Sequence, residues 1–253
     1  MNTPLIIGNL KSYLVSREEV EAYFAALGEA RAALSEDVRM GVAMPGPYIR
    51  VAKKALVGKA LVGAQDVSEH GPGAHTGEVS AKLLASEGID FSLVGHSERR
   101  AEGETDAMIA KKVRRLLDAN MMAVVCVGET REERERGKSL AKIQTQISAL
   151  LDVKPAESER IVIAYEPVWA VGSDDTPSTK DVREVVSGIR EVLREMFGER
   201  SGNVPVLYGG SVNVGNIREL CIDSGAEGAL VGRASLDAEG FVDMAKELKA
   251  NKE

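Results

Sequence analysis

Four polar residues stand at the ends of short apolar runs, and their side chains have the chemistry needed to move a proton. Asn9 and Lys11 follow the first run. His96 follows the fourth run and Glu166 follows the sixth. A carboxylate can act as a base and take up a proton. A neutral imidazole and an amide can donate hydrogen bonds, and an ammonium adds a positive charge. The residue types therefore indicate a proton-transfer site.

Glycine-rich turns follow the last two apolar runs. Gly209, Gly210 and Ser211 follow the seventh run, and Gly232 and Arg233 follow the eighth. Backbone N–H groups in such turns bind phosphate well, because small residues let the anion approach closely. The sequence therefore predicts a phosphate-bearing ligand.

The elements that must position these residues are visible as an alternation of short apolar runs and longer segments with helical periodicity. The runs begin roughly 30 residues apart, the size of one βα unit. Several are continuously hydrophobic, which is typical of strands buried on both faces of a parallel sheet. The eight runs are Leu5–Asn9, Met40–Met44, Ala60–Ala64, Phe91–Gly95, Ala123–Val127, Ile161–Tyr165, Val204–Tyr208 and Ala229–Gly232.

The intervening segments carry helix signals. Ser16 and Glu19 have the spacing of a capping box. Ser178 opens another helix, in which Val182, Val185 and Ile189 fall on one apolar face. With no break in composition, the pattern predicts an α/β protein: a single-domain (β/α)8 barrel of eight parallel strands over residues 1–253.

A doubly wound sheet is the alternative architecture. Such a sheet usually carries Gly-x-Gly-x-x-Gly after its first strand. This chain has Gly8-Asn9-Leu10-Lys11 at that point, which favours the barrel.

In a barrel of this kind, the carboxyl ends of the strands form one rim that carries the reactive groups. The polar residues described above all fall on that rim. Taken singly, each has a simpler explanation, since an isolated His after a strand is often structural and Gly209-Gly210 alone is a turn. Their shared position favours one site.

Composition limits the partners of the chain. A formal net charge of −7 argues against nucleic acid or an anionic membrane as a partner. No apolar run approaches the roughly 20 residues that span a bilayer, and the N-terminus lacks the pattern of a signal peptide. The two cysteines, Cys126 and Cys221, fit no metal or redox spacing. We expect a cytoplasmic protein.

Longer motifs point to a family. The most specific are Gly95–Arg100 and Ala164–Gly172. Shorter ones are Gly8–Lys11, Cys126–Glu129, Tyr208–Val212 and Ala234–Leu236. Over nearly its whole length the chain resembles the triose-phosphate isomerase family. The resemblance implies a TIM barrel without metal or organic cofactor. It also implies interconversion of dihydroxyacetone phosphate and D-glyceraldehyde 3-phosphate, a step of glycolysis and gluconeogenesis.

The resemblance also implies a role for each site residue. Glu166 corresponds to the base and His96 to a neutral electrophile. Asn9 and Lys11 correspond to further stabilisers of the enediolate, with Lys11 also offsetting the negative charge of the substrate. The implied substrate-binding set is Asn9, Lys11, Gly172, Ser211, Gly232 and Arg233, and the implied supporting residues are Cys126, Glu98 and Thr76.

Two loops acquire an expected function from the same resemblance. Pro167–Gly172 is expected to form a lid, with Trp169 as a rigid closing surface that excludes water. Gly71–Glu78 is expected to reach into a second subunit, where Thr76 supports the end of that subunit's first strand. A homodimer is the expected state.

Apart from Arg99–Glu104, which lacks an aromatic residue and is one residue short but leaves His96 in place, the chain departs from the family pattern at three places near the site. Ser173–Asp175 replaces the usual Thr-Gly-Lys after the lid, and we expect its two acidic side chains to face solvent. Arg233 replaces a glycine. We expect its amide still to serve the phosphate while the guanidinium adds positive charge. The third departure is Leu10, Ser12 and Tyr13, where the family usually has Trp, Met and Asn.

Two other functions are weighed against this one. The first is another phosphate-binding barrel enzyme. An aldolase would need a lysine within a strand, and the last five runs contain none. A metal-dependent epimerase would need several inward ligands, and the chain has 3 histidines in all. The second is an inactive barrel relative that acts as a metabolite- or protein-binding scaffold, which the presence of all four proton-transfer residues disfavours.

Overall fold

Eight parallel strands close into a barrel, with each strand paired to its neighbours in chain order and the last paired to the first. The computed structural model describes residues 3–32, 34, 37–170 and 175–249. The strands are β1 (Leu5–Asn9), β2 (Arg39–Met44), β3 (Leu61–Ala64), β4 (Phe91–Val94), β5 (Met122–Val127), β6 (Ile161–Tyr165), β7 (Val206–Tyr208) and β8 (Gly228–Val231). The predicted barrel is confirmed.

The strand ends differ slightly from the predicted ones, for local reasons. β7 begins at Val206 and not at the predicted Val204, because Pro205 has no N–H to donate to the ladder. β8 begins one residue early, at Gly228. There φ is +146°, and an added Cβ would lie 1.8 Å from the Leu5 carbonyl oxygen. Only glycine allows β1 to approach so closely.

Helices cover the outside of the barrel. The capping box predicted at Ser16 is present, and the helix predicted to open at Ser178 begins there with a capping box of its own. Within the described residues the α-helices are α1 (Arg17–Arg31), α2 (Ile49–Ala55), α3 (Ala81–Ser86), α4 (Ser97–Ala101), α5 (Asp106–Asp118), α6 (Arg131–Glu135), α7 (Ser139–Ile147), α8 (Thr179–Phe197) and α9 (Ala238–Glu247). Short 3₁₀ turns occupy Gly46–Tyr48, Ser148–Leu150, Pro155–Arg160, Val168–Ala170, Gly198–Asn203 and Arg233–Leu236, and Glu219–Asp223 is a π-helical turn. Over the same residues, no helix combines the length and apolarity needed to cross a membrane.

Two apolar layers hold the strands in place. Inside the barrel, Phe91, Leu93 and Leu230 are buried. Gly63 on β3 makes room for Phe91, since a Cβ there would lie 2.2 Å from its ring. Outside, the apolar face of α8 joins the layer between strands and helices. Each fully buried side chain of this kind contributes about 1.5–3 kcal/mol to the stability of the fold. The two layers therefore hold the strands that carry the rim residues.

Candidate active site

A cavity of about 390 Å³ opens at the carboxyl ends of the strands. It brings together the two predicted phosphate-binding turns and the four predicted proton-transfer residues. Its walls are formed by Asn9, Lys11, Tyr13, His96, Glu166, Gly209, Gly210, Ser211, Val212, Leu230, Val231, Gly232, Arg233 and Ala234. Residues from both ends of the sequence therefore share one space.

Glu166 follows β6 and is 3% exposed. Its backbone N–H donates to the Val127 carbonyl at 2.7 Å. Glycines directly after both neighbouring strands leave space for Glu166. A Cβ on Gly128 would lie 1.8 Å from the Glu166 carbonyl oxygen, and one on Gly209 would lie 2.6 Å from Glu166 Cγ. The adjacent backbone thus fixes where this carboxylate stands.

The Glu166 carboxylate faces His96. Glu166 Oε1 lies 3.2 Å from His96 Nε2, and Glu166 Oε2 accepts the backbone N–H of Ser97 at 3.4 Å. The two side chains are almost completely shielded from water. A proton acceptor and a hydrogen-bond donor therefore stand within reach of the same small ligand.

His96 caps the N-terminus of α4. Its Nδ1 accepts the N–H of Glu98 at 3.2 Å, so the neutral ring carries its proton on Nε2, which faces Glu166. Burial lowers the pKa of His96, but the adjacent Glu166 carboxylate, together with Glu98, outweighs burial and holds the pKa above its ordinary value. The charge of His96 therefore depends on where the Glu166 carboxylate lies.

Asn9 and Lys11 are held by a side chain from another strand end on the same rim. Gln65, directly after β3, donates from Nε2 to Asn9 Oδ1 at 3.2 Å and to the Lys11 carbonyl at 2.9 Å. Asn9 Oδ1 also accepts the Lys11 N–H at 3.1 Å. With its oxygen occupied twice, the Asn9 amide has its NH₂ group to offer a ligand.

Lys11 adopts a left-handed backbone conformation with φ of +45°, which costs a non-glycine residue roughly 1–2 kcal/mol. Such strain persists where the surroundings fix it, and it is frequent at functional sites. Lys11 Nζ donates to Glu98 Oε1 at 2.5 Å. Glu98, predicted as a supporting residue, thus holds the ammonium at the cavity wall.

The predicted phosphate end of the cavity contains Ser211, Gly232 and Arg233. Arg233 begins a 3₁₀ turn, and its φ is not in the left-handed region. Arginine is therefore unstrained where the family usually has glycine. Its guanidinium carbon lies 5.9 Å from the centroid of the Tyr13 ring, within cation–π range.

Cys126 lies inside the barrel on β5, in the predicted supporting position beside Glu166. It is fully buried and forms no disulfide. Burial, together with the nearby Glu166 carboxylate, raises the pKa of its thiol well above the ordinary value. Cys126 is therefore a neutral, small packing residue behind Glu166.

The first part of the predicted lid is hydrogen-bonded to Glu129. Trp169 Nε1 donates to Glu129 Oε1 at 2.9 Å, and the Arg134 guanidinium lies 4.6 Å from the Trp169 ring centroid. Gly172, Ser173 and Asp174 lie outside the described residues. Asp175 is 60% exposed and pairs with Arg131, so it faces away from the cavity, as expected.

Of the predicted site residues that the structure describes, Thr76 is placed away from the cavity. It belongs to the exposed stretch 72–79. Gln65 and Tyr13 are parts of the site that the sequence did not single out as functional. Tyr13 was visible only as a departure from the family pattern, and Gln65 only as a polar residue after a strand. Among the described residues, no group of three or more His, Cys, Asp or Glu side chains is arranged to hold a metal ion.

Comparison with known proteins agrees with this geometry. A family model described as triosephosphate isomerase matches residues 4–248. The chain is 44% identical over 244 residues to the triosephosphate isomerase of Bordetella pertussis, covering 95% of this chain and 96% of that one. It is 40% identical over 246 residues to that of Thermus thermophilus, covering 96% and 97%. It is 37% identical over 246 residues to that of Alkaliphilus oremlandii, covering 96% and 98%. The chain belongs to the triosephosphate isomerase family.

Proposed function

We propose that this chain interconverts dihydroxyacetone phosphate and D-glyceraldehyde 3-phosphate by proton transfer through an enediolate. Family membership supports the reaction and the substrate class. The observation that carries the mechanism is the 3.2 Å approach of Glu166 to His96 in the wall of the cavity. A triose phosphate placed there contacts a base and a donor at once.

In this mechanism the Glu166 carboxylate takes the proton from C1 of dihydroxyacetone phosphate and returns it to C2. Two oxygens on one carboxylate suit a base that must serve adjacent carbons. The donors Asn9, Lys11 and His96 line the cavity with Glu166 and stabilise the negative oxygen as it forms. Interactions that strengthen in the transition state raise kcat more than they lower KM.

His96 acts as a neutral donor in the complex with substrate. The Glu98 N–H on Nδ1 favours the form that carries its proton on Nε2. The substrate separates His96 from the Glu166 carboxylate, which removes the main influence that raises the pKa of His96. The neutral ring can then donate to one substrate oxygen and accept the proton back.

The phosphate is held by Gly172, Ser211, Gly232 and Arg233, mostly through backbone N–H groups. The net charge of −7 repels a dianion at long range, so local positive groups matter. Lys11 is partly neutralised by Glu98. Arg233 has no carboxylate within ion-pair distance among the described residues, and its guanidinium supplements the amides.

Residues 167–172 form the lid that excludes water while the enediolate exists, which limits loss of phosphate. Trp169 provides its rigid surface. Thr76 reaches a second copy of the chain in a homodimer, and exposed apolar side chains just after it, Val79 and Leu83, support such an interface. The chain is a single domain over residues 1–253 and acts in the cytoplasm.

The reaction is tested by incubating the protein with dihydroxyacetone phosphate in D₂O and following the product by proton NMR. We expect D-glyceraldehyde 3-phosphate with deuterium at C2, because a proton held on Glu166 exchanges with solvent before it returns. Absence of product would contradict the proposed reaction. Product without any deuterium would contradict a proton-transfer step through an exchangeable carboxyl group.

A further inference from the structure

A buried lysine lies behind the cavity between two carboxylates. Lys112 of α5 donates from Nζ to Asp66 Oδ1 at 2.6 Å and to Glu104 Oε1. The side chains of Lys112 and Glu104 are 5% and 2% exposed. Buried ion pairs often add little net stability, because both charges lose their water. The other contacts of the two carboxylates therefore indicate what the cluster does.

Glu104 holds the backbone of Gly95, the residue before His96. Its Oε2 accepts the N–H of Gly95 at 3.0 Å, while Arg100 Nε donates to the Gly95 carbonyl at 2.7 Å. Gly95 has φ of +71°, and an added Cβ would lie 2.8 Å from Ile109 Cδ1. Two charged side chains thus orient the backbone that delivers His96 to the cavity.

Asp66 belongs to the segment that holds the other donors. It follows Gln65, whose Nε2 donates to Asn9 Oδ1 and to the Lys11 carbonyl. The two carboxylates of the ion cluster therefore adjoin separate parts of the cavity wall. Glu104 contacts the residue before His96, and Asp66 follows the residue that contacts Asn9 and Lys11.

We propose that Lys112 is a positioning residue. By pairing with both Glu104 and Asp66, it fixes the backbone before His96 relative to the segment that contacts Asn9 and Lys11. The proposal rests on the isomerase function proposed above, because those three side chains are its oxyanion donors. A misplacement of about 1 Å in such groups can reduce the rate on the order of 10²-fold. The donors act mainly in the transition state, so the effect falls on kcat.

The test uses the double variant Lys112→Met/Glu104→Gln. Lys112→Met alone would leave the Glu104 charge buried without its partner, which destabilises the fold. The double variant removes both charges and keeps an amide oxygen that can accept the Gly95 N–H. We expect kcat to fall by about tenfold or more, KM to change by less than kcat, and the His96 ring nitrogen resonances to shift.

A matched control is available at the opposite end of the barrel. Glu227 accepts the N–H of Val206 at 3.0 Å and pairs with Arg190, so the same type of ion pair holds the start of β7. Arg190→Met/Glu227→Gln should lower stability to urea while leaving kcat and the His96 resonances at wild-type values.

The proposal is overturned if the Lys112 variant loses stability as the control does but keeps wild-type kcat and wild-type His96 resonances. The NMR readout needs no activity. An inactive wild type would therefore contradict the isomerase function, while the resonances would still test whether Lys112 positions His96.

Discussion

His96 Nε2 and Glu166 Oε1 lie 3.2 Å apart in the free site, across the space that a substrate carbon and its oxygen must enter. The proposed base and the proposed donor therefore interact with each other until a ligand separates them. This relationship makes the charge state of His96 a sensitive indicator of the position of Glu166.

The first prediction concerns the pKa of His96. Burial lowers it, and the Glu166 carboxylate raises it above the ordinary value of 6.5. Replacing that carboxylate by an amide, in Glu166→Gln, removes the largest raising influence and leaves burial and the weaker effect of Glu98, so the pKa should fall from its wild-type value. Titration of the His96 ring nitrogens by NMR measures it. Equal values in the wild type and the variant would show that the two groups are not coupled.

The second prediction concerns Arg233, the cation at the phosphate end of the cavity. Arg233→Gln keeps the backbone N–H and removes the charge, so we expect KM to rise by about tenfold, the factor that about 1.4 kcal/mol gives. Dependence of kcat/KM on salt should also weaken. Arg200→Gln, an exposed charge on the loop before β7, is the matched control and should change neither quantity. Equal effects of both variants would mean that only net charge matters.

The contact of the Arg233 guanidinium with the Tyr13 ring can be tested separately. The Tyr13 ring lies under its guanidinium, so Tyr13→Phe should retain the wild-type KM, because a phenyl face also attracts a cation. Tyr13→Leu should raise KM in the direction of Arg233→Gln. An equal rise in Tyr13→Phe and in Tyr13→Leu would assign the effect to the hydroxyl group, which both variants lack.

The third prediction concerns stability in acid. Glu157 accepts two hydrogen bonds from Arg114, at 2.7 and 3.0 Å, and one from the Lys154 N–H. These contacts lower the pKa of Glu157 from 4.5 to about 2. A depressed pKa in the folded state adds stability above the unfolded-state value and loses it as the pH falls from 4.5 towards 2.

The corresponding variant is Glu157→Gln. Because Arg114 is partly exposed, we expect the free energy of unfolding to fall by about 1 kcal/mol near neutral pH. The difference in this free energy between the variant and the wild type should narrow below about pH 4.5. Urea denaturation at both pH values measures it. The neighbouring exposed Glu159→Gln should have no effect. A difference that stays constant with pH would contradict the ionic origin.

Much of the fold could be predicted because its signals are local. Eight apolar runs spaced by helices define the barrel, and the capping box at Ser16 requires only residues within one turn. Of the strand ends that differ, the start of β7 is explained locally by Pro205, whereas the start of β8 depends on the close approach of Gly228 to the distant Leu5. Parallel strands share one rim, so the sequence also predicted which polar residues meet.

The supporting contacts could not be predicted, since they join distant segments through side chains of ordinary type. Lys11 and Glu98 are 87 positions apart, and Lys112 and Asp66 are 46 apart. A lysine within a helix is usually solvated, and although Lys112 falls on the face of α5 that carries Ile109, Val113 and Leu116, its two partners lie outside that helix. Only the packing of α5 against the barrel makes that lysine internal.

The central claim, that Glu166 is the base, is tested most directly by a coupled assay with D-glyceraldehyde 3-phosphate on the wild type and Glu166→Asp. The substitution keeps the charge and withdraws the carboxylate by about one methylene, so we predict a loss in kcat on the order of 10²-fold. Glu199→Asp, on the exposed turn before β7, is the control and should keep wild-type kcat. Unchanged kcat in Glu166→Asp would contradict the account and assign the base to another residue.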